Sequence, residues 1–354
     1  MFNNSFKIGD FTIGDNSKPF VIAEMSGNHN QSLERAFEIV DAAAAAGAHA
    51  LKLQTYTADT ITFNGKTDEF FVSKSSPLWA GESLHKLYQQ AYTPWEWHQP
   101  IFERAKAHGM IAFSSPFDTT AVDFLENLGV EIYKIASFEN TDHILLKKVA
   151  KTGKPVIMST GVASEADIEE SVKILKENGC ESLVLLKCTS SYPASPENTN
   201  LNTIPDLKAK HGTIVGLSDH TMGIGCSVAA IALGARVIEK HFTLNRADGG
   251  VDSSFSLEPA ELKSLVIETE RAFLGLGKIN YHLSESEVIN QKFKRSLYVV
   301  KDIATGEAFT SENIKSIRPS LGLHTRNYEQ VLGQTALTAI EAGTPLNWDL
   351  ISKP

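Results

Sequence analysis

Residues 123–138 read DFLENLGVEIYKIASF. An amphipathic run stops at Gly129, and a short, almost wholly apolar run follows at once. Glycine suits the position just past a helix, where the backbone turns left-handed and a Cβ would be strained. An apolar run without polar alternation is what a parallel strand buried on both faces requires. The stretch therefore reads as helix, stop and buried strand. The same unit recurs at 40–56 (VDAAAAAGAHALKLQTY), 103–117 (ERAKAHGMIAFSSPF), 148–160 (KVAKTGKPVIMST), 175–190 (LKENGCESLVLLKCTS), 207–220 (LKAKHGTIVGLSDH) and 230–242 (AIALGARVIEKHF). A further run, PFVIAEMS at 19–26, has no helix before it and brings the strands to eight.

Eight alternating units predict an α/β fold, a (β/α)8 TIM barrel, rather than an open doubly wound sheet. No GxGxxG follows the first strand, which weakens the dinucleotide-binding alternative. FKIGDFTIGD at 6–15 reads as a hairpin that plugs the barrel floor. Thr93-Pro94-Trp95-Glu96 and Ser164-Glu165-Ala166-Asp167 read as capping boxes or near variants that start helices.

Two stretches break the rhythm. Residues 57–92 form a long insertion after the second strand, on the face where barrel active sites sit, and are expected to form a lid or an intersubunit arm. Beyond residue 280 the alternation stops. The expected organisation is a catalytic barrel over 1–280, a polar linker over 281–292 and a small β-rich domain over 293–354.

Composition sets outer limits. In 354 residues, 42% are hydrophobic and 21% charged, ordinary values for a chain with a packed core. A net charge of −9 argues against a nucleic-acid surface but leaves room for a local basic site. No apolar run is long enough for a bilayer, and the start lacks the pattern of a signal peptide. Cys180, Cys188 and Cys226 have no CxxC spacing and read as free thiols in a reducing cytoplasm.

In a barrel the C-terminal strand ends share one mouth. They offer Glu24, with Ser26, Asn28 and His29 just after; Lys52 and Gln54; Ser114 and Ser115; Lys134 and Ser137; Ser159 and Thr160; Lys187, Thr189, Ser190 and Tyr192; Ser218, Asp219 and His220; and Glu239, Lys240 and His241. Any one of these has a bland role as a cap, a surface ion pair or a core hydrogen bond. Taken together they are harder to dismiss. A lysine inside an apolar run costs several kcal/mol to bury unless it is paired, and an anion at the mouth would pair it. Serines and lysines from several strands make a convergent set of donors for a phosphate or carboxylate. His220 and His241 close adjacent strands, so both imidazoles could reach one divalent ion with open positions. Asp219 is either a partner of that site or a turn residue, and the orientation of Lys187, Glu239 and Lys240 stays open. Trp95, Trp97 and His98 read as helix start and core, the alanine run at 42–46 as close packing, and Cys188 as a small buried hydrophobe.

AEMSGNHN (23–30), LKLQTY (51–56), FSSPFD (113–118), YKIASFE (133–139), MSTG (158–161), KCTSSYP (187–193), GLSDHT (216–221), EKHFT (239–243) and IRPSLGL (317–323) resemble the sialic acid synthase family of nonulosonate synthases, over nearly the whole chain. The resemblance implies condensation of phosphoenolpyruvate with an unphosphorylated amino-hexose, giving a nonulosonic acid and phosphate. It implies a divalent metal, Mn2+ or Mg2+, and an antifreeze-like (SAF, β-clip) C-terminal domain. It also implies a homodimer in which that domain covers the partner's barrel mouth. Matched residue by residue, His220 and His241 are implied metal ligands and Glu24 the active-site carboxylate. Lys52, Ser115, Lys134, Ser137, Ser159 and Ser218 are implied to cradle phosphoenolpyruvate. Tyr192 and Asp252 match sugar-contacting positions, Asn28 and Gln54 fall within the matching motifs, and Arg318 matches an arginine delivered by the partner. Ser190 departs from the N-acetylneuraminate branch, which has asparagine there, and the motifs look most like the pseudaminic acid branch. Its sugar is a 2,4-diacetamido-2,4,6-trideoxy-altrose. Neuraminate and legionaminate synthesis, and synthases of octulosonate or heptulosonate phosphates, are the enzymatic alternatives. An inert barrel with a surface- or ice-binding tail is the non-enzymatic one.

Overall fold

A computed structural model describes residues 1–73 and 80–352. Residues 74–79 of the insertion, and residues 353–354 at the end of the small domain, lie outside the described residues. The chain packs as two compact units, Met1–Gly277 and Lys278–Pro354.

The first unit opens with an antiparallel hairpin, β1 (Ser5–Ile8) and β2 (Phe11–Gly14). Eight parallel strands then follow: β3 (Phe20–Glu24), β4 (Ala50–Thr55), β5 (Ile111–Pro116), β6 (Tyr133–Ile135), β7 (Val156–Ser159), β8 (Leu183–Cys188), β9 (Ile214–Ser218) and β10 (Val237–His241). They pair in sequence order, and β10 closes on β3 with His241 opposite Glu24. The expected (β/α)8 barrel is the fold found. The seven punctuating glycines all adopt positive φ, from +60° at Gly212 to +108° at Gly179. Gly47 shows the reason most fully, because its N–H closes the helix Leu33–Ala46 in the left-handed conformation.

One of the two expected capping boxes forms. Ser164 and Asp167 exchange side-chain-to-backbone bonds at the start of the helix Glu165–Glu177. Thr93 does not cap; its hydroxyl bonds Nε2 of buried His29 at 3.1 Å, and the short helix Trp95–Trp97 starts without a side-chain cap. A buried imidazole competes better for that hydroxyl than an exposed backbone N–H does.

Strand alternation divides the core into two layers. Outward residues such as Leu51, Leu53, Tyr133, Ile135, Leu185 and Leu217 pack against the helices. Inward residues Ile22, Ala50, Phe113, Ile132, Ile157, Val184, Leu186, Ile214 and Val237 fill the barrel. Ile8 and Ile13 of the hairpin join this inner cluster from below, so the hairpin plugs the floor as expected. The 57–92 insertion folds into the helix Ala58–Ile61, a 3-10 turn at Asp68–Phe70 and the helix Leu84–Ala91.

The second unit has its own apolar core, including Leu297, Val299, Phe309, Ile314 and Leu346. Its sheet is one antiparallel pair, β11 (Ser296–Val299) and β12 (Ile314–Ile317).

Candidate active site

The inner apolar layer predicts what lies above it. Two residues further along each strand the side chain again points inward, one layer nearer the mouth. From Ile22, Ala50, Phe113, Ile132, Ile157, Leu186 and Val237 that step leads to Glu24, Lys52, Ser115, Lys134, Ser159, Cys188 and Glu239. This layer is polar and almost sealed. Glu24 is 1% exposed, Lys52 3%, Lys134 2% and Glu239 5%.

Burying four charges would be prohibitive if they were not paired. Lys52 Nζ lies 2.5 Å from Glu24 Oε2 and 3.9 Å from Glu239 Oε2. Lys134 Nζ lies 3.3 Å from Glu239 Oε1. Gln54 Nε2 donates to Glu24 at 3.0 Å, Lys52 to Ser115 Oγ at 3.2 Å, and Ser218 Oγ to Glu239 at 3.2 Å. The lysines are thus paired by the chain's own carboxylates, whereas the sequence reading looked to an anion bound at the mouth for that pairing. The difference traces to Glu239, which points inward.

The two carboxyls are driven apart. Burial pushes Glu24 up to about 7 against the pull of Lys52. Burial would raise Glu239 as well, but Lys134 and Lys52 outweigh it and hold that group below its ordinary value. One buried carboxyl able to exchange a proton near neutrality beside one held ionised is a common arrangement for acid–base chemistry. Burial opposes the charge on Lys52, yet Glu239 and Glu24 keep its ammonium above the ordinary value. Burial takes Lys134 below its own.

His220 and His241 stand together at the rim, ring centroids 5.3 Å apart. His220 Nδ1 faces the Thr189 carbonyl at 3.1 Å. That contact makes Nδ1 the protonated nitrogen and leaves Nε2 with a free lone pair. Nδ1 of His241 is buried without a hydrogen-bond partner, 3.8 Å from Asp252 Oδ2. Burial and neighbouring cations hold His241 far below the usual imidazole range, hence neutral. Burial opposes a charge on His220, but Cys188, the Thr189 carbonyl and Glu239 raise it above the ordinary imidazole value. In their neutral forms the two imidazoles, one carrying an orphaned buried nitrogen, fit a divalent ion. Among the described residues no group of three His, Cys, Asp or Glu is placed to hold one, so an ion here would have few protein donors and open positions.

Above this floor opens a cavity of about 520 Å3, lined by Gln54, Ser137, Ser190, Tyr192, His241 and Asp252 among others. Asp252 accepts a bond from Ser26 Oγ, and burial raises its carboxyl. Ser159 Oγ is buried and has no hydrogen-bond partner among the described residues. Gly161 packs so closely that a Cβ would overlap Ser190 Oγ and lie 2.7 Å from Ser137 Oγ.

Five residues named from the sequence sit outside the cavity lining: Asn28, Asp219, Lys187, Lys240 and Arg318. The Asn28 amide donates at 2.9 Å to both the Phe242 carbonyl and Ser256 Oγ, tying two loops together away from the cavity lining. Asp219 accepts from Thr221 and Ser227 and pairs with Lys240 at 3.0 Å, which makes it a turn residue and shows that Lys240 points outward. Lys187 is also turned out of the barrel, bonding the Cys188 carbonyl at 2.8 Å. Arg318, in the second unit at the end of β12, is exposed and has no side-chain partner among the described residues.

Residues 39–281 match the NeuB family and residues 294–352 the SAF domain. The chain belongs to the NeuB family. It is 45% identical over 340 residues to a pseudaminic acid synthase of Campylobacter jejuni subsp. jejuni serotype O:23/36, covering 96% of this chain and 98% of that one. It is 42% identical to the pseudaminic acid synthase of Helicobacter pylori, over 95% of this chain and 98% of the other. Among solved structures, an N-acetylneuraminic acid synthetase from Leptospira borgpetersenii in complex with citrate superposes with a TM-score of 0.72 at 35% identity. That match covers 82% of this chain and 95% of the other.

One site residue, Glu139, escaped the sequence reading, and Glu239, named at the mouth, was left with its orientation open. Glu239 carried a usable signal: it lies two residues before inward-facing His241, so period-2 alternation puts it inside the barrel. Glu139 lies in the turn after β6, lines the cavity, and has a buried Oε2 without a hydrogen-bond partner among the described residues. Burial pushes its carboxyl up to about 7. No strand period reaches it, because it belongs to a turn.

Proposed function

We propose that this chain condenses phosphoenolpyruvate with an unphosphorylated N-acetylated amino-hexose, giving pseudaminic acid and inorganic phosphate. The observation that carries the reading is the buried layer of Glu24, Lys52, Lys134 and Glu239 beneath two facing imidazoles. The identity to pseudaminic acid synthases supports the choice of sugar, 2,4-diacetamido-2,4,6-trideoxy-altrose.

In this reading Lys52, Lys134, Ser115, Ser137, Ser159 and Ser218 hold the phosphate and carboxylate of phosphoenolpyruvate. That fixes its C3 against the aldehyde carbon, which is a positioning role. The C3–C1 bond forms, and the former aldehyde oxygen takes a proton. Water adds at C2, and phosphate departs with its bridging oxygen. Glu24 is the proton-transferring group, buried and poised near neutrality. Ionised Glu239 keeps the lysines charged between turnovers. Gln54 orients Glu24, while Tyr192, Ser190 and Asp252 contact the sugar. His220 and His241 would hold a divalent ion, Mn2+ or Mg2+, which when bound supplies Lewis-acid polarisation of the aldehyde oxygen.

The remaining parts of the proposal concern assembly. Residues 1–280 form the catalytic unit, 281–292 a linker, and 293–354 a cover delivered to a partner in a homodimer, with Arg318 binding a sugar substituent. Mixing Arg318→Ala with Glu24→Gln protomers should then restore activity through exchanged dimers; verified heterodimers without rescue would refute delivery in trans. The test of the reaction is mass spectrometry of the product from phosphoenolpyruvate and a panel of free and phosphorylated N-acetylated hexoses. A nonulosonate with stoichiometric phosphate is expected; turnover of phosphorylated sugars alone would refute the reading.

A further inference from the structure

The cavity has two unlike sides. Its barrel side presents Gln54, Ser137, Ser190, His241 and Asp252, with Phe117, Phe138 and Val251 among them. Its far wall comes from the 57–92 insertion and is apolar: Leu84, Leu87, Tyr88 and Ala91, with Ile61 and Val72. The first four fall at i, i+3, i+4 and i+7 of the helix Leu84–Ala91, one stripe of that helix. In most helices such a stripe is covered by core; here it lines the cavity, and its leucines stay only half-buried.

The stripe is held in place. His85 Nε2 bonds Asp59 Oδ1 at 2.8 Å, tying this helix to the helix Ala58–Ile61. The Gln31 side-chain amide donates to the Gln90 and Tyr92 carbonyls at 3.1 and 2.7 Å. The Tyr88 ring packs edge-on against Tyr56 at 5.7 Å. Val72 exchanges backbone bonds of 2.9 Å with Gly81 and Glu82, which fixes the strip beside it.

We propose that this insertion wall determines sugar specificity, with Leu84, Leu87, Ile61 and Val72 receiving the methyl-bearing end of the aldose, the deoxy C6 or the C4 N-acyl methyl, both of which N-acetylmannosamine replaces with hydroxyls. The inference rests on the condensation reading above and adds the element that selects the sugar. A hydroxyl pressed against these four side chains would lose its water and find no donor or acceptor among them, whereas a methyl group gains by leaving water. This wall, His241 and Gln54 line one cavity, so a molecule reacting at the floor has room to bring its far end here.

The experiment measures phosphate release at saturating phosphoenolpyruvate with two aldoses, the 6-deoxy diacetamido hexose and the hydroxylated N-acetylmannosamine. Native enzyme is expected to favour the deoxy sugar by about 10- to 100-fold in kcat/KM. Leu87→Ser on the helix, and independently Val72→Ser on the neighbouring strip, should each cut kcat/KM for the deoxy sugar about tenfold through KM. The hydroxylated sugar should be left within about twofold, and the KM of phosphoenolpyruvate unchanged. If both variants keep the native preference, or slow both sugars equally, the wall does not select and the inference falls, although the condensation reading stands. If native enzyme releases no phosphate with either aldose, the condensation reading itself fails.

Discussion

The two ends of the barrel are built from opposite chemistry on the same eight strands. At the floor, Ile22, Phe113, Ile132, Ile157 and Val237 meet Ile8 and Ile13 of the hairpin, with no charge among them. One layer up, the same strands carry Glu24, Lys52, Lys134 and Glu239, nearly sealed from solvent. Apolar burial at the floor contributes stability in proportion to area. The charged layer is at best neutral for stability, since the desolvation of buried ions offsets their attraction. A chain that needed only to fold would not place charges there, so the contrast marks which end is built for chemistry.

The largest expected effect comes from unbalancing the charged layer. Lys52→Met leaves Glu24 without its partner at 2.5 Å and Glu239 with only Lys134. It should cost about 3–5 kcal/mol of stability and lower kcat/KM by at least about 10²-fold. Ile13→Ala at the floor should cost about 2–5 kcal/mol and leave kcat/KM per folded molecule unchanged. Denaturant titration and phosphate-release kinetics on both variants test the contrast. Loss of activity from Ile13→Ala in proportion to Lys52→Met would erase the distinction between the two ends.

A smaller effect probes how tightly the mouth is built. At Gly161 an added Cβ would overlap Ser190 Oγ and crowd Ser137 Oγ, so Gly161→Ala must displace two hydroxyls at once. Displacements near one ångström at a positioning residue cost on the order of 10²-fold in rate. Circular dichroism should be unaltered and kcat/KM reduced by about that factor; wild-type kinetics would mean that neither serine positions substrate.

The contrast between the ends also explains what the sequence could reveal. Glycine stops and unbroken apolar runs specify a parallel barrel through short-range rules, so every strand was legible. Inward and outward faces follow from alternation, which suffices for Lys52, Lys134 and His241 once one inward residue per strand is known. The same rule reaches Glu239, whose partners Lys52 and Lys134 sit on other strands and only closure brings them together. The surroundings of Asn28, and the choice between the two roles open to Asp219, were not legible because loop side chains obey no period; their partners, Phe242 and Ser227, are set by tertiary packing. The apolar stripe at 84–91 has helical spacing in the sequence, but spacing cannot say whether a stripe faces core or cavity.

Glu139 supplies the smallest effect and the most direct reading of the mouth's electrostatics. It lines the cavity, and burial, with Asp142 adding to it, outweighs Lys134 and Lys52 to push its carboxyl up to about 7. An ordinary glutamate titrates near pH 4.3, so between roughly pH 4.3 and 7 the folded chain holds a proton that the unfolded chain has released. Stability from this group is complete below that window and is lost as pH rises through it, by at most about 1.4 kcal/mol per pH unit. Glutamine cannot ionise and keeps the shape. The stability of Glu139→Gln relative to the native chain should therefore climb as pH is raised from about 4.3 to about 7 and flatten outside that range, read by thermal or urea unfolding at each pH. Glu24 contributes a slope of the same sign, but it is present in both proteins and cancels in the difference. A difference that is flat across the window would mean that Glu139 is solvated or paired and that burial does not raise its carboxyl.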